Sequence, residues 1–599
     1  MFKYLIHNKA PVRMNYNLNT LFDKEKKTSN VKGLRKLFQL IPHERKNLLL
    51  ALVIIIINAA SKLVAPLLVG YAIDHAVVTG DYKSLLKYAL YILLMYLIAS
   101  ATQYLQTKVM GSVGQRMLFT LRNALFNKLQ ELPIAFFNQN KTGDIISRVN
   151  NDTDKINQFF SQSLMQFVGN MAMMIGAAVF LLTIHPKLGM ATLVPGICIF
   201  IFTMAISPWV KKRNALSLKA SGNLSSEVQE SLNNFKVIIA FNRRDYFRKR
   251  FAKANNENYT TSIKSGLANN LFVPVYGLGA NFAQLIVLIY GISLIINGDF
   301  TVGILVSYIS YSDSFYKPLQ QIASLWTNFQ LAMAGWDRIS QILNMENDLV
   351  QESLPTTEET HEFALSFNNV YFAYPEGKEV LHNVSFHFEK GKTYALVGPT
   401  GGGKTTTASL IARLFDPTEG TIFLNGKNIK TYSSKERAEK IGFILQDPFL
   451  FSGTVKDNIL YGNEAYVNYS DAQLTELLKT SGLEELLSLF NDGLHTTVSD
   501  NNSISLGQKQ VIAFIRAVLR NPDILILDEA TANIDTVTEQ LLDKILQQLP
   551  SHTTTVIIAH RLNTIENADE IFFINNKEVE PAGSLQDAVA KLISGHKSS

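Results

Sequence analysis

A glycine-rich segment, GPTGGGKTT, runs from Gly398 to Thr406 and fits the spacing G-x-x-x-x-G-K-[ST]. An apolar, strand-like run precedes it, and a helical pattern follows from its lysine onward. The glycines let successive backbone N–H groups converge on phosphate oxygens, and the start of the helix adds partial positive charge. The segment therefore predicts a phosphate-binding loop, with an ordinary glycine-rich turn as the alternative. Its residues are Gly398, Pro399, Thr400, Gly401, Gly402, Gly403, Lys404, Thr405 and Thr406.

Two acidic residues follow a second strand-like run, ILILDEAT. Because open α/β sheets bind ligands at the carboxyl ends of their strands, we expect Asp528 and Glu529 to lie near the phosphates of a nucleotide. In that chemistry Lys404 reaches the β- and γ-phosphates, and Thr405 and Asp528 hold Mg²⁺, with Asp528 acting through water. Glu529 orients and polarises the attacking water. The expected ligands are thus ATP and Mg²⁺.

The composition of the chain points to a membrane. It has 599 residues, of which 47% are hydrophobic and only 18% are charged. Basic residues outnumber acidic ones before Asn47, where a long apolar run begins. Such a basic flank beside an apolar segment is typical of the cytoplasmic end of a spanning helix, so we expect a membrane rather than a nucleic-acid partner. The single cysteine, Cys198, excludes a disulfide within the chain and a cysteine-based zinc site.

Six apolar stretches predict six spanning helices. The first begins at Asn47, and the others fall near 85–106, 160–184, 188–208, 270–297 and 302–330, the second and sixth being mixed with polar residues. The gaps after the second and fourth stretches are long and basic. The positive-inside rule therefore places both long gaps and both termini in the cytoplasm. No cleavable signal peptide is evident.

The composition of the sequence changes around 345–362, where the segment is acidic. Beyond it, short β-rich runs alternate with helical patterns. This alternation predicts an α/β domain with a mostly parallel sheet. We therefore expect a multidomain chain, with an all-α polytopic membrane domain followed by an α/β nucleotide-binding domain. The predicted boundaries are a cytoplasmic segment at 1–46, the membrane domain at 47–343, a linker at 344–361 and the nucleotide-binding domain at 362–599.

The order of these motifs resembles an ATP-binding cassette domain. After the phosphate loop come ILQDPFLFSGTVKDNI, a Ser/Gly/Gln motif, NPDILILDEATANID and VIIAHRL. The membrane half resembles the six-helix exporter fold of the same family, with LPIAFFNQNKTGDIISRVNNDTDKI similar to its first intracellular loop and WDRISQIL similar to the end of its sixth helix. The resemblance implies an ATPase that drives transport, with two such chains per transporter.

The resemblance also implies roles for single residues. Tyr374 corresponds to the aromatic residue that stacks on adenine, with ordinary packing as the alternative. Gln446 corresponds to the glutamine that senses the γ-phosphate and Mg²⁺, and His560 to the switch histidine that contacts the γ-phosphate, again with packing as the alternative. Asp535 falls in the loop that crosses the dimer interface. Loops near 137–144 and 241–244 are expected to contact the cassettes, so substitution of Gly143 and Asp144 is expected to uncouple ATPase from transport.

The Ser/Gly/Gln motif departs from the family pattern. Where the family has L-S-G-G-Q, this chain has Ile504, Ser505, Leu506, Gly507 and Gln508. In the family, each ATP lies between the phosphate loop of one chain and this signature of the other. A leucine in place of the first glycine adds bulk and restricts close approach, so the site completed by this signature should hydrolyse poorly. The phosphate loop of this chain is intact.

This asymmetry resembles heterodimeric bacterial multidrug exporters. We therefore expect a partner that has an intact signature but lacks the equivalent of Glu529, with a homodimer as the alternative. The expected substrates are amphipathic or hydrophobic compounds, with a lipid or peptide exporter as the alternative, and the expected location is a bacterial plasma membrane. Aromatic and methionine residues in the spans either line a substrate surface or pack the helices. They are Phe272, Tyr276, Tyr308, Tyr311, Phe315, Tyr316, Met165, Met171, Met173 and Met174.

Overall fold

The structure of the protein, a computed structural model, describes residues 16–18, 42–347, 349, 351–352, 363–374, 377–499, 504–528, 536–558, 565 and 567–595. The described residues form two compact units. The helical unit contains residues 42–130 and 142–344. The α/β unit contains residues 16–18, residues 131–141 and the described residues from 345 onward. The predicted domain boundaries stay predictions.

Long helices build the helical unit, and three π-helical turns, Ile73–Val77, Arg148–Asp152 and Phe159–Ser163, extend or join them. Helix α3 and the last residue of α2 belong to the α/β unit. The helices are α1 (Arg45–Ala72), α2 (Tyr82–Glu131), α3 (Ile134–Gln139), α4 (Thr142–Ser147), α5 (Thr153–Gln158), α6 (Leu164–Ile184), α7 (Pro186–Asn233), α8 (Phe235–Ala240), α9 (Arg244–Asn270), α10 (Phe272–Ile296) and α11 (Val302–Leu343).

Within the described residues, five helical segments are long and apolar enough to cross a membrane: Arg45–Val77, Tyr82–Glu131, Thr142–Ile184, Pro186–Asn233 and Arg244–Ile296. The sixth predicted span lies in α11. This helix is 42 residues long, but it is too polar to join the other five on composition. Its start is fixed locally, because the Thr301 hydroxyl accepts a hydrogen bond from the Ile304 N–H at 3.2 Å.

Tyrosines on α11 anchor that helix to its neighbours. Tyr308, Tyr311 and Tyr316 are all at most 3% exposed. Their hydroxyls donate to backbone carbonyl oxygens of α6, α1 and α7 at 2.5, 2.8 and 2.7 Å, respectively. Each phenol is therefore satisfied inside the bundle. Of the two possibilities that the sequence left open for these aromatic residues, packing holds for these three.

The α/β unit contains two larger sheets. Strands β3, β6, β9, β10, β11 and β12 form one sheet in the order β12-β11-β3-β10-β9-β6, and β2-β1-β4-β5 form the other. The strands are β1 (Phe363–Ala373), β2 (Glu379–Glu389), β3 (Thr393–Val397), β4 (Glu419–Leu424), β5 (Lys427–Asn428), β6 (Ile441–Ile444), β7 (Gly453–Thr454), β8 (Thr497–Val498), β9 (Ile524–Asp528), β10 (Thr554–Ile558), β11 (Glu570–Asn575) and β12 (Glu578–Pro581).

The six-stranded sheet is parallel except for β12. Burial explains its sequence, since every residue of β9 and β10 is buried and both strands are mostly apolar. The predicted fold class, a helical membrane domain joined to an α/β nucleotide-binding domain, is confirmed. The helices of this unit are α12 (Lys404–Ile411), α13 (Ser434–Lys440), α14 (Val455–Leu460), α15 (Asp471–Thr480), α16 (Glu484–Leu487), α17 (Leu506–Val518), α18 (Thr536–Gln547) and α19 (Leu585–Gly595).

Candidate nucleotide-binding site

The glycine-rich loop connects the end of β3 to the start of α12. Gly401 and Gly403 have φ angles of +81° and +115°, in the region that side chains disfavour. A β-carbon at Gly401 would meet no atom within 4 Å, so the inner surface of the loop is open there. Gly403 caps the N-terminus of α12. The loop thus leads directly into a helix N-terminus, whose free backbone N–H groups suit a phosphate.

Lys404 folds back over the loop that precedes it. Its Nζ atom donates to the carbonyl oxygens of Gly398 and Pro399 at 2.8 and 3.1 Å, and the residue is 5% exposed. A second loop contact, from the Gly402 N–H to the Pro399 carbonyl at 3.0 Å, closes the turn. The ammonium group is therefore held against the phosphate loop. Thr400 lies exposed at the turn of this loop.

The hydroxyl and carboxylate expected at the metal site lie near each other. Thr405 is the second residue of α12, and its Oγ1 atom is 3.5 Å from Oδ1 of Asp528. Asp528 ends β9 and is 4% exposed. A hydroxyl and a carboxylate oxygen are the hard ligands that Mg²⁺ prefers. The residues present therefore fit the metal.

The register of the six-stranded sheet places Gln446 near the carboxyl ends of the strands, where Asp528 also lies. Ile444, the last residue of β6, pairs with Leu527 of β9, and Gln446 follows two residues later with an exposed side chain. Ile558, the last residue of β10, pairs with both Asp528 and Leu396. The carboxyl ends of β3, β6, β9 and β10 therefore lie side by side. Glu529, Asp535 and His560 lie outside the described residues.

Tyr374 lies just beyond β1 and next to the phosphate loop. Its hydroxyl is 2.9 Å from Oγ1 of Thr406 in α12. Its ring meets the Phe415 ring edge-on, with 5.5 Å between centroids. The structure thus brings the tyrosine to the nucleotide-binding loop and packs one side of it. Stacking on adenine stays a prediction.

The signature segment begins α17. Ser505 is the N-cap, and its hydroxyl accepts from the Gln508 N–H at 3.1 Å, while the Gln508 side chain accepts from the Ser505 N–H at 2.9 Å. This reciprocal pair is a capping box. Gln508 also donates to the Leu489 carbonyl at 2.7 Å. Leu506 occupies the first position of the helix, followed by Gly507, and its side chain is 39% exposed.

The helical unit contains a charged cluster of which only Asp144 was singled out from sequence. The Asp144 carboxylate binds Nη2 of Arg338 at 2.6 Å and Nε of Arg148 at 3.2 Å. Arg338 also binds Asp152 at 3.2 Å, and Lys155 binds the other oxygen of Asp152 at 2.9 Å. The cluster therefore ties α4 and the following turn to α11. In the sequence, the only sign of this cluster is the spacing of three or four residues between Asp144 and Arg148 and between Asp152 and Lys155.

Comparison with known proteins agrees with this geometry. The family description "ABC transporter transmembrane region" matches residues 48–319, and "ABC transporter" matches residues 381–532. A multidrug resistance ABC transporter ATP-binding and permease protein of Lactococcus lactis subsp. cremoris is 30% identical, with 88% of each chain covered. A fatty acid ABC transporter ATP-binding/permease protein of Mycobacterium bovis is 30% identical, over 83% of this chain and 78% of that one.

A solved structure extends the similarity to the whole fold. The structure of a bacterial Atm1-family ABC exporter with ATP bound is similar with a TM-score of 0.77 and 25% sequence identity, and the match covers 93% of this chain and 99% of that one. The chain belongs to the ABC transporter family. It is a half-transporter with the Atm1-type exporter fold, in which a polytopic membrane region is fused to a cassette that binds ATP and couples its hydrolysis to transport. Exporters of this family act as dimers in a membrane.

Proposed function

We propose that the chain is one of two different subunits of a heterodimeric exporter that moves amphipathic and hydrophobic compounds across the plasma membrane. In this assembly each ATP is held by the phosphate loop of one subunit and the signature of the other. The chain supplies an intact phosphate loop and a damaged signature. The observation that carries the proposal is Leu506, whose exposed side chain stands at the first position of α17.

The support for a damaged signature is geometric. Ser505 and Gln508 keep a complete capping box, so the helix starts where a signature helix should. Leu506 places a branched side chain at the N-terminal end of that helix, and the residue is 39% exposed. Phosphate groups bind helix N-termini by approaching the free backbone N–H groups closely. A leucine at this end holds a nucleotide away, whereas a glycine does not.

The second ATP site of the dimer is formed by the phosphate loop of this chain and the signature of the partner. We expect this site to hydrolyse ATP. Lys404 and the N–H groups of α12 would neutralise the phosphates, and Glu529 would orient the attacking water. Gln446 would report the presence of the γ-phosphate, His560 would contact it, and Asp535 would lie at the interface between subunits. Thr405, Asp528 and Gln446 would hold Mg²⁺. The bound metal supplies charge neutralisation between the phosphates.

The partner subunit is therefore expected to differ from this chain. It would bring an intact signature to the competent phosphate loop, and it would lack the equivalent of Glu529 in the site that Leu506 completes. Only one of the two sites would then turn over rapidly. ATP drives closure of such a dimer because ATP binds the closed state better than the open one.

The proposed orientation places the α/β unit and both termini in the cytoplasm. The basic residues before Asn47 support it, since positively charged flanks remain on the cytoplasmic side. Loop residues 131–141 belong to the α/β unit, which supports a role for this loop in carrying cassette movements to the membrane region. A nucleic-acid partner is not expected.

One relative favours a second substrate class. The Mycobacterium bovis relative is named a fatty acid transporter, so a homodimeric lipid exporter is the alternative function. Both candidates move amphiphiles and use the same ATPase. They differ in whether a second type of subunit is needed.

Transport by inside-out vesicles tests the proposal. Vesicles that contain the chain and the subunit that co-purifies with it should accumulate an amphipathic dye when ATP is added, and Glu529→Gln should abolish the accumulation. Vesicles from cells that lack the chain are the control. Equal dye levels with and without ATP would refute export, and a co-purified complex that contains this chain alone would favour the homodimer.

A further inference from the structure

Helix α11 carries a polar face through its membrane-spanning part. Ser310, Asp313, Lys317, Gln321 and Asn328 follow one another at intervals of three, four and seven residues. At 100° per residue, that spacing puts all of them on one side of the helix. The polar face also explains why α11 is less apolar than the five spans described above. The stretch from Ser310 to Asn328 covers about 27 Å at 1.5 Å per residue.

An ion pair occupies the middle of this face. Nζ of Lys317 lies 2.9 Å from Oδ2 of Asp313. If the span begins near Val302, Asp313 lies about 16 Å and Lys317 about 22 Å along it at 1.5 Å per residue, inside a hydrocarbon core about 30 Å thick. Charges at that depth are costly against lipid, so they face a polar cavity or other protein.

Neighbouring helices contact two residues of the polar face but leave Lys317 accessible. Gln284 of α10 donates to Oδ1 of Asp313 at 2.6 Å. Asn170 of α6 donates to the Gln321 side chain at 3.0 Å. The Lys317 side chain is 73% exposed and the Asp313 side chain 36%. The lysine is thus the accessible charge.

The hydrogen-bonding groups of this ion pair that remain available belong to the positively charged lysine. Both oxygens of Asp313 already accept a hydrogen bond, one from Gln284 and one from Lys317. A lysine ammonium has three N–H donors, and Asp313 takes one of them. Within the part of the chain that the structure describes, no other acceptor bonds to Lys317, so two donors and the positive end of the pair remain for a ligand. A group that matches them is an anion with several acceptor oxygens.

We propose that the polar face of α11 binds the head group of an anionic amphiphile, with Lys317 as the residue that contacts the anion. This inference rests on the proposed function, because it names the substrate class of the same exporter. The apolar body of the substrate lies against the apolar surfaces beside the polar face. Gln284 acts as a positioning residue that holds Asp313, and Asp313 holds Lys317 in place.

A matched pair of probes tests the head group. One is a dodecane chain that carries a fluorescent label at one end and a sulfonate at the other, and the second is its neutral N-methylsulfonamide. The readout is the concentration that half-maximally stimulates ATPase in vesicles that contain the full chain and its co-purified subunit. The wild type should respond to the sulfonate at the lower concentration.

Lys317→Met should raise the half-stimulating concentration of the sulfonate about tenfold, the loss expected for one charge-assisted hydrogen bond. It should leave the value for the sulfonamide unchanged. Lys317→Arg should recover most of the response, and Lys187→Met, at the exposed start of α7 and outside the polar face, should change nothing. Recovery by arginine separates loss of charge from misfolding.

Two results would overturn the inference and leave the proposed function intact. One is an unchanged sulfonate response in Lys317→Met, which would mean that the partner subunit covers this face. The other is a wild type that prefers the neutral probe or a matched trimethylammonium probe. Failure of ATP-driven dye accumulation in the wild type would instead refute the proposed function itself.

Discussion

The charged cluster in the helical unit yields the most quantitative prediction. Arg338 links two carboxylates, at 2.6 Å to Asp144 and 3.2 Å to Asp152. The Asp152 side chain is 1% exposed and the Asp144 side chain 34%. Because Arg338→Met takes one of two cations away from the buried Asp152 carboxylate, it should be strongly destabilising. Asp144→Asn should be milder, because the Asp144 side chain is 34% exposed and the buried Arg148 keeps its hydrogen bonds to the Arg338 carbonyl and the Gln341 side chain.

The expected magnitudes follow from burial. Breaking a buried ion pair costs about 3–5 kcal/mol, and the lower end applies here because Arg338 is 29% exposed and Lys155 still pairs with Asp152. The partly exposed pair of Asp144 with Arg338, whose side chains are 34% and 29% exposed, contributes about 1 kcal/mol or less. Arg338→Met combined with Asp152→Asn should recover part of the loss, since the stranded charge is removed. The coupling energy of that double-mutant cycle should be about 1–3 kcal/mol.

The assay is thermal unfolding of the purified full chain, followed by intrinsic fluorescence and by loss of ATPase activity. Arg338→Met should lower both midpoints more than Asp144→Asn does, and the double variant should lie between Arg338→Met and the wild type. Lys253→Met, on an exposed part of α9, is the matched control for loss of a cation. Additive losses in the double variant would refute the reasoning.

The remaining predictions concern ATP use and helix packing. Lys404→Ala should abolish ATP hydrolysis while the chain still folds, as measured by ATPase activity and by size-exclusion profile. Tyr374→Ala should raise the KM for ATP about tenfold by removing an aromatic contact worth about 1.4 kcal/mol. Tyr374→Phe should change the KM little, because the ring is kept. Equal KM values for the two variants would contradict the stacking role. Gly303→Ala should lower the unfolding midpoint, because its β-carbon would collide with the backbone of α1 and overpacking costs about 1–3 kcal/mol. Gly143→Ala together with Asp144→Asn should reduce transport per ATP hydrolysed, and an unchanged ratio in vesicles would contradict a coupling role.

The arrangement of the candidate nucleotide site was largely predictable because its parts are local. A buried strand that ends in Asp528 and a glycine-rich turn that leads into Lys404 each carry their own sequence pattern. The rule that strand ends share one edge then brings them together. The register between β9 and β10 and the 3.5 Å approach of Thr405 to Asp528 confirm that juxtaposition.

The features of the helical unit were less predictable because they depend on contacts between distant residues. Arg338 and Asp152 are 186 residues apart in sequence, so the pairing could not be read from spacing. The polar residues of α11 lower the average hydropathy of the predicted span, but the sequence does not show which helices border the polar face. The aromatic residues of the same helix could equally have faced a substrate, and only the three carbonyl contacts show that Tyr308, Tyr311 and Tyr316 pack the bundle.

We propose that this chain combines an intact phosphate loop with a signature that Leu506 impairs. The most direct measurement is ATP hydrolysis by the purified chain alone, compared with Leu506→Gly. In an assembly of identical chains every site uses the damaged signature, so the wild type should hydrolyse slowly, and the single substitution should raise the rate at least about tenfold, a gain of about 1.4 kcal/mol. Rapid hydrolysis by the wild-type chain alone, or no gain from the glycine, would contradict the account.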